Sequence, residues 1–294
     1  MAPPQSGYSP ARSKMSRHVL LLIITAVLWS LGGVLIKSIE WNPLAISGAR
    51  SAIAVVVLGT LMPSLWRKIS WITLPGALAY TATVTLFVFA TKLTTAANAI
   101  FLQYTAPIYI ALLGPWLLRE RATRTDWALI LLGLGGILLF FFDQLSWNGM
   151  LGVVLALASG LSYACLAMAL RRERDGSPEA VVLLGNVLTL VVAIPAMFPV
   201  DNLSRNLPWL LALGIVQLTV PYLTYSAAIR HVRALDAAII SFIEPILNPL
   251  WVLMVTHERA SAWTLIGGAI VLSTSLVRSV FASKTGKNSI EPAL

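Results

Sequence analysis

The chain has 294 residues, of which 57% are hydrophobic and 11% are charged, and its formal net charge is +9. Soluble globular domains carry about 25% charged residues, so this composition excludes an ordinary water-soluble fold and predicts a protein embedded in the lipid bilayer. The positive charge does not indicate nucleic-acid binding, because the basic residues form no single stripe and recur in short clusters between apolar runs.

Ten apolar segments follow one another along the chain, and each is long enough, or nearly so, to cross a bilayer as a helix. They cover residues 18–37, 43–62, 73–91, 97–118, 126–142, 148–170, 179–199, 207–229, 235–256 and 262–281. The third and eighth are the least apolar, because Thr, Tyr and Gln interrupt them. Residues 1–17 and 282–294 are predicted to be polar cytoplasmic tails. The sequence therefore predicts an all-α integral membrane protein with ten transmembrane helices.

The basic residues predict the orientation of these helices, because cytoplasmic loops carry an excess of Lys and Arg. With the N-terminus inside, the outer segments hold only Lys37, Lys92, Arg205 and Arg259. Every other Lys or Arg lies inside, apart from Arg50 within the second span. This uneven distribution favours ten spans with both termini in the cytoplasm.

Two stretches of the sequence resemble each other without a gap, from Thr95 to Ala122 and from Arg233 to Ala260. Each has a central proline, Pro107 or Pro245, and each ends on Glu-Arg-Ala. Spans one to five therefore correspond to spans six to ten.

The chain is thus predicted to contain one five-helix repeat over residues 18–142 and a second over residues 148–281. Because five is an odd number, the second repeat enters the membrane upside down. Inverted repeats are the architecture of secondary transporters, which hold their substrate near the midplane between the halves. Gene duplication without transport is the alternative, since some membrane enzymes and scaffolds also carry repeats.

A series of short motifs follows a characteristic order and spacing along the two halves. It consists of Trp29 with Lys37, Arg50, the run Thr95–Ala99, Pro107, Glu120-Arg121, Glu244-Pro245 and His257-Glu258-Arg259. By these motifs the chain resembles the EamA family of the drug/metabolite transporter superfamily over nearly its whole length. The resemblance implies a ten-helix carrier of the prokaryotic inner membrane that exports small metabolites, amino acids or drugs through a central cavity. Its aromatic residues are similar in kind to those of YddG-type amino-acid exporters.

Two ionisable residues lie deep in predicted spans, and such residues are functional candidates by default. Arg50 lies about 10 Å into the second span at 1.5 Å per residue, and Glu244 lies near the middle of the ninth. Glu244 could bind an ammonium group or a proton, or it could pair with Arg50 as a fixed strut. A structural role is favoured for Arg50, because a guanidinium can satisfy several carbonyl groups. Asp236 is shallower and is predicted to be a helix N-cap.

Polar and aromatic residues deep in the spans complete the predicted cavity. Ser241 and Asn248 share a helical face with Glu244, and Gln103 lies on the equivalent face of the fourth span. The candidate cavity residues are Trp29, Tyr80, Gln103, Tyr104, Tyr163, Gln217, Tyr222, Tyr225, Ser241, Glu244 and Asn248. For each aromatic residue, core packing is the alternative. Pro107 and Pro245 are expected to kink their helices, either as hinges or as purely structural bends.

The sequence contains no nucleophile–base pair, metal-ligand cluster or filter-like motif. We therefore expect no catalytic residue, metal or cofactor, and an intramembrane enzyme or a channel is disfavoured. The leading hypothesis is a secondary transporter that exports small metabolites, first of all aromatic or other neutral amino acids, by alternating access. The alternative is efflux of lipophilic cationic drugs, which suits a membrane carboxylate and aromatic rings. We expect the carrier to function as a monomer in the plasma membrane, without nucleic acid.

Overall fold

The structure is a computed structural model that describes residues 17–94, 96–140, 142, 149–198, 202–247, 251 and 262–288. Within these ranges all regular secondary structure is helical. The helices are α1 (Arg17–Trp29), α2 (Gly32–Lys37), α3 (Pro43–Leu61), α4 (Leu74–Leu93), α5 (Ala96–Gln103), α6 (Ala106–Leu117), α7 (Arg124–Phe140), α8 (Met150–Arg172), α9 (Pro178–Ala193), α10 (Leu203–Leu211), α11 (Val220–Ile229), α12 (Ala234–Ile240) and α13 (Ala262–Asn288). Short 3-10 helices cover Pro63–Lys68, Ile194–Ala196 and Ser241–Ile243, and a π-helix covers Ala212–Thr219.

Seven stretches of the described chain are long and apolar enough to cross a membrane. They are Arg17–Lys37, Pro43–Leu61, Leu74–Leu93, Asn98–Leu117, Met150–Arg172, Pro178–Ala196 and Leu203–Ile229. These stretches coincide with predicted spans one to four and six to eight, so the prediction of a helical multi-pass membrane protein is confirmed. Span nine is described only as far as residue 247 and at residue 251. The count of ten spans and the cytoplasmic position of the termini stay predictions.

The polar tail predicted from residue 282 begins inside a helix, since α13 continues to Asn288. No proline occurs between residue 282 and the end of α13, so nothing in the covalent chain forces the helix to stop at the membrane surface. Residues 1–16 of the first predicted tail and residues 289–294 of the second lie outside the described residues.

Local capping sets where two of the membrane helices begin. Asn42 precedes α3 and its side-chain oxygen accepts hydrogen bonds from the backbone N–H groups of Leu44 (2.8 Å) and Ala45 (3.3 Å). At α7, Thr123 and Asp126 each accept a hydrogen bond from the backbone N–H of the other. Caps of this kind satisfy amide groups that have no partner in the first helical turn.

The two halves of the chain interleave in the packed bundle. The most extensive packing joins α4 to α8, α7 to α13, α3 to α9, α4 to α9 and α1 to α11. If spans one to five correspond to spans six to ten, the α4–α8 contact is the counterpart of the α1–α11 contact. The α3–α9 and α7–α13 contacts then join equivalent helices. This pattern is expected of two halves related by a two-fold axis, whereas the inversion of the second half stays a prediction.

The fourth predicted span is broken in its middle, between α5 and α6. Pro107 lies in the first turn of α6, where its missing N–H costs no helical hydrogen bond, and the hydroxyl of Thr105 donates to the carbonyl of Leu102 at 2.6 Å. Gly160 of α8 packs directly on this break. A Cβ atom at Gly160 would lie 2.9 Å from the carbonyl oxygen of Gln103 and 3.0 Å from that of Leu102.

We therefore expect Gly160→Val to lower the stability of the folded protein by about 1–3 kcal/mol, because overpacking displaces the backbone of the break. Thermal unfolding in detergent measures this effect. Gly135→Ala is the matched control, since a Cβ atom there would have no neighbour within 4 Å. Equal stability of the two variants would show that the contact between α8 and the break is not tight.

A cluster of four charged residues joins α7, α12 and α13 at the predicted cytoplasmic end of the bundle. Asp126 forms ion pairs with Arg233 (3.1 Å) and Arg278 (2.8 Å), and Asp236 pairs with the same two arginines. The prediction that Asp236 caps a helix is wrong. The extended residue before α12 is Arg233, and Asp236 lies in the first helical turn, where the positive end of the helix dipole also favours an acidic side chain.

A second ion pair at this end links the two halves directly. The Nε of Arg171 lies 2.9 Å from Oε1 of Glu120, and the same guanidinium donates to the carbonyls of Ile229 and Arg230. Glu120 also accepts a hydrogen bond from the backbone N–H of Ala234 at 3.3 Å. The ends of α6, α8, α11 and α12 are therefore held together by polar contacts.

Candidate functional site

A narrow cavity of about 40 Å³ lies inside the helical bundle. It is lined by Trp29, Arg50, Thr83, Val84, Phe87, Gln103, Tyr104, Tyr163, Gln217, Leu218, Tyr222 and Glu244. These residues come from α1, α3, α4, α5, α8, the π-helix and α11, from the break between α5 and α6, and from the chain that follows α12. Both halves therefore contribute charged, polar and aromatic side chains to one site.

Glu244 is buried beside the break between α5 and α6. It directly follows the 3-10 helix that ends α12, and the hydroxyl of Tyr104 donates a hydrogen bond of 2.5 Å to its Oε2. The Tyr104 ring packs on Phe242, with ring centroids 5.7 Å apart. Within the described part of the chain, no Lys or Arg forms an ion pair with Glu244. The partner that holds the carboxylate is a neutral phenol.

Arg50 is 1% exposed and supplies the positive charge of the cavity. One terminal nitrogen donates to the carbonyl of Val84 at 2.7 Å, and the other donates to Oε1 of Gln217 at 3.3 Å. Its Nε has no hydrogen-bond partner among the described residues. Arg50 and Glu244 do not pair with each other, so the fixed strut considered from the sequence is not formed in this structure.

Gln217 lies in the π-helix, an irregularity that is frequent at functional sites. A Cβ atom at Gly32 would lie 2.8 Å from Nε2 of Gln217, so the side chain packs directly on the start of α2. The absence of a side chain at Gly32 gives Gln217 the space it needs to reach Arg50. Gln217 belongs to the eighth span, in the second half, and packs on the first span, in the first half. This packing positions Gln217 so that it supports the guanidinium of Arg50.

A cluster of aromatic rings forms around Trp29. Its ring centroid lies 5.1 Å from that of Tyr222, 5.3 Å from that of Tyr225 and 5.9 Å from that of Tyr163. Tyr80 extends the cluster, with its ring 4.7 Å from that of Tyr222. Rings at these distances pack favourably and present both apolar surface and electron-rich faces.

A hydrogen-bonded chain fixes the side of the cavity formed by α5. Nε2 of Gln103 donates to the hydroxyl of Ser159 at 2.8 Å, and that hydroxyl donates to the carbonyl of Thr83 at 3.1 Å. Gln103 is therefore held against both α8 and α4, and its orientation in the cavity is set by the packing of these helices.

The structure brings most of the predicted cavity residues together. Those lining the cavity are Trp29, Gln103, Tyr104, Tyr163, Gln217, Tyr222 and Glu244, with Arg50. Tyr80, Tyr225 and Ser241 are buried outside its lining. Tyr80 accepts a hydrogen bond from Asn186, and Ser241 donates to a carbonyl of its own helix. Pro245 follows Glu244 in the chain, and the predicted candidate Asn248 lies outside the described residues.

Four lining residues are absent from the sequence-based set: Thr83, Val84, Phe87 and Leu218. The first three follow Tyr80 at three, four and seven residues, which is the spacing of one helical face. Leu218 precedes Tyr222 by four residues and shares its face. Helical periodicity around predicted aromatic residues was the signal for all four.

A second, larger cavity of about 380 Å³ lies near the predicted cytoplasmic ends of α4 and α8. Most of its walls are apolar, and its charged residues, Arg172 and Glu173, are adjacent in the chain at the end of α8. We therefore identify the smaller cavity as the candidate site. It is lined by buried ionisable and hydrogen-bonding groups from helices that are distant in the sequence, whereas the larger cavity is not.

A multi-pass helical membrane protein with a buried polar cavity between two interleaved halves has the architecture of a membrane carrier. The chain belongs to the EamA-like transporter family, whose pattern matches residues 16–142 and 150–279. The protein is therefore a transporter of the EamA type within the drug/metabolite transporter superfamily. This membership indicates transport rather than enzymatic activity.

Two relatives illustrate the similarity. An uncharacterized transporter of Archaeoglobus fulgidus is 26% identical over 261 residues, which cover 87% of this chain and 94% of that protein. The pseudopaline exporter CntI of Pseudomonas aeruginosa is 28% identical over 191 residues, which cover 62% of this chain and 66% of that protein.

A solved crystal structure of another protein matches with a TM-score of 0.77 at 20% sequence identity. The match covers 92% of this chain and 99% of the other. At this identity, the likeness shows that the two proteins share a fold.

Proposed function

We propose that the protein exports small metabolites, first of all aromatic or other neutral amino acids, across the prokaryotic inner membrane. The observation that carries this proposal is the central cavity, in which both halves place buried charges, amides and aromatic rings around one space. Residues of this kind at the midplane of a membrane bundle are costly unless they serve a substrate or ion pathway. The similarity to an exporter named for a metabolite supports export of small polar molecules.

The size of the cavity supports an alternating-access mechanism. A volume of 40 Å³ holds about three water molecules at ~10–15 Å³ each. Sites that take small organic ligands have volumes of about 300–1,000 Å³. We propose that the two halves move apart and enlarge this site before a metabolite enters.

Polar contacts link helices at both ends of the bundle. At the predicted cytoplasmic end, Glu120 pairs with Arg171 across the two halves. At the opposite end, Nζ of Lys92 donates to the carbonyl of Ile39 at 2.5 Å, and Nζ of Lys37 donates to that of Thr94 at 3.4 Å. Contacts that involve exposed or half-buried charges can break at low cost, because water replaces them. The two lysine contacts lie within the first half, whereas Glu120 and Arg171 belong to different halves, so we propose that the Glu120–Arg171 pair breaks when the site opens to the cytoplasm.

The test is uptake of labelled amino acids into liposomes that contain the purified protein, with and without a proton gradient. We expect saturable uptake that a few neutral amino acids inhibit, because the cavity offers a limited set of fixed polar contacts. We propose that the carrier functions as a monomer, so reconstitution at one protein per liposome is expected to be sufficient. Folded protein that takes up no amino acid would contradict the proposal.

Efflux of lipophilic cations is the second candidate function, and two observations favour it. Glu244 is a buried carboxylate with no cationic partner in the described chain, and the rings of Trp29, Tyr163 and Tyr222 line the same cavity. Aromatic faces attract cations. Export of tetraphenylphosphonium by the liposomes, without inhibition by amino acids, would favour this function over the first.

A further inference from the structure

The central cavity contains one buried basic group and one buried acidic group, Arg50 and Glu244, that form no ion pair with each other. Arg50 is 1% exposed and Glu244 is 7% exposed. Arg50 belongs to α3 in the first half, whereas Glu244 follows α12 in the second half. Both line the same cavity, yet their polar partners are a backbone carbonyl, an amide and a phenol. The cavity is formally neutral as a whole but separates its positive and negative ends.

Neutral partners compensate a buried charge only in part. An unpaired ion in a protein interior is unfavourable even after the surroundings relax. A bound cation would supply a counter-charge to Glu244 but none to Arg50. A bound anion would supply a counter-charge to Arg50 but none to Glu244. A molecule with one positive and one negative group supplies a counter-charge to both residues.

The groups around Arg50 suit a carboxylate. A guanidinium presents its donors as a planar fork that matches the two oxygens of a carboxylate. The Nε of Arg50 has no partner among the described residues, so at least one donor remains for such a group. The contact with Gln217 is 3.3 Å long, and its exchange for a charged oxygen would strengthen the hydrogen bonding of Arg50.

The groups around Glu244 suit an ammonium. The hydroxyl of Tyr104 donates to one carboxylate oxygen, which leaves acceptor sites on the carboxylate for N–H donors. The cavity also contains Trp29, Tyr163 and Tyr222, whose rings offer electron-rich faces to a cation and apolar surface to a side chain.

We infer that Arg50 and Glu244 are the two ends of a binding site for a zwitterion, an α-amino acid whose carboxylate binds Arg50 and whose ammonium group binds Glu244. This inference rests on the proposed function and names the chemical features that the same site recognises. Because the two ends belong to different halves of the chain, the bound amino acid bridges the halves.

The test measures binding, separately from transport, by the detergent-solubilised full-length protein. The probes are phenylalanine and leucine, each with its amide, which lacks the carboxylate, and its N-acetyl derivative, which lacks the ammonium group. Isothermal titration calorimetry gives the affinity of the wild-type protein, Arg50→Gln and Glu244→Gln for all six probes. Arg50→Lys, which keeps the charge and loses the fork, replaces Arg50→Gln if that variant does not fold.

We expect the wild-type protein to bind at least one free amino acid about tenfold or more tightly than either of its derivatives, since each derivative loses one charge-assisted contact. Arg50→Gln should abolish the preference over the amide and keep the preference over the N-acetyl derivative. Glu244→Gln should show the opposite pattern. Arg50→Lys should reduce the preference over the amide without abolishing it.

Three results would overturn the inference: equal wild-type affinity for an amino acid and its amide, equal loss of affinity for all probes in both variants, or no binding of any probe. The outcome is separable from that of the uptake experiment. If the two variants show the opposite probe preferences described above but the protein takes up no amino acid, the zwitterion site is retained and the export function is rejected. Uptake of amino acids and their amides at equal rates would retain transport and reject the zwitterion site.

Discussion

Replacement of Glu244 by Gln is expected to lower amino-acid uptake about 30-fold or more, since removal of one partner from a buried charged contact costs about 2–5 kcal/mol. The carboxamide has nearly the same shape as the carboxylate, and its oxygen can still accept the hydrogen bond from Tyr104. The fold should therefore survive. Initial rates of uptake into liposomes, at equal protein content, measure the effect.

Glu40→Gln is the matched control for this experiment, because the Glu40 side chain is 70% exposed and lies 3.7 Å from its partner Arg205. It should transport like the wild type. Thermal unfolding in detergent establishes that both variants are folded. Undiminished uptake by Glu244→Gln would remove this carboxylate from the transport mechanism and leave it a structural role.

Replacement of Arg278 by Gln is expected to destabilise the folded protein by about 3–5 kcal/mol, the cost of breaking a buried ion pair by removing one partner. Asp126 and Asp236 are both buried, and without Arg278 they would share the single positive charge of Arg233. Unfolding by heat or denaturant in detergent measures the loss.

Arg174→Gln provides the comparison, since the Arg174 side chain is 48% exposed and pairs with its neighbour Asp175 in the chain. Exposed pairs contribute about 0–1 kcal/mol, so this variant should resemble the wild type. The double variant Asp126→Asn with Arg278→Gln should regain part of the lost stability, because it removes one charge of each sign. Equal stabilities of Arg278→Gln and Arg174→Gln would mean that the buried cluster does not hold α7, α12 and α13 together.

The membrane helices could be predicted because their signal is local. An apolar run of about 20 residues is sufficient to identify a span, and the rarity of charges within such runs singled out Arg50 and Glu244. Cavity residues were predictable where an aromatic or polar side chain interrupts a span, as at Trp29 and Gln217. These residues can be identified from the sequence of a single span, without knowing which helices pack against it.

Contacts between distant helices could not be predicted in the same way. Arg50 and Gln217 are separated by 167 residues, and their hydrogen bond depends on how the π-helix packs beside α3. The ion pair between Asp236 and Arg278 could not be predicted either, because Arg278 comes from a helix 42 residues further on. Tyr80 shares a helical face with the lining residues of α4 but lies outside the lining, where it contacts Asn186 and Tyr222 from distant helices.

The four-charge cluster of Asp126, Arg233, Asp236 and Arg278 also constrains how this protein can diverge. The cluster is neutral as a whole and three of its members are buried, so the loss of any one charge leaves an uncompensated ion among helices from both halves. A mutation that removes one acid is tolerable when a second removes one base. These four positions are therefore expected to be inherited as pairs, and in related sequences an apolar residue at position 126 should accompany the loss of an arginine at position 233 or 278.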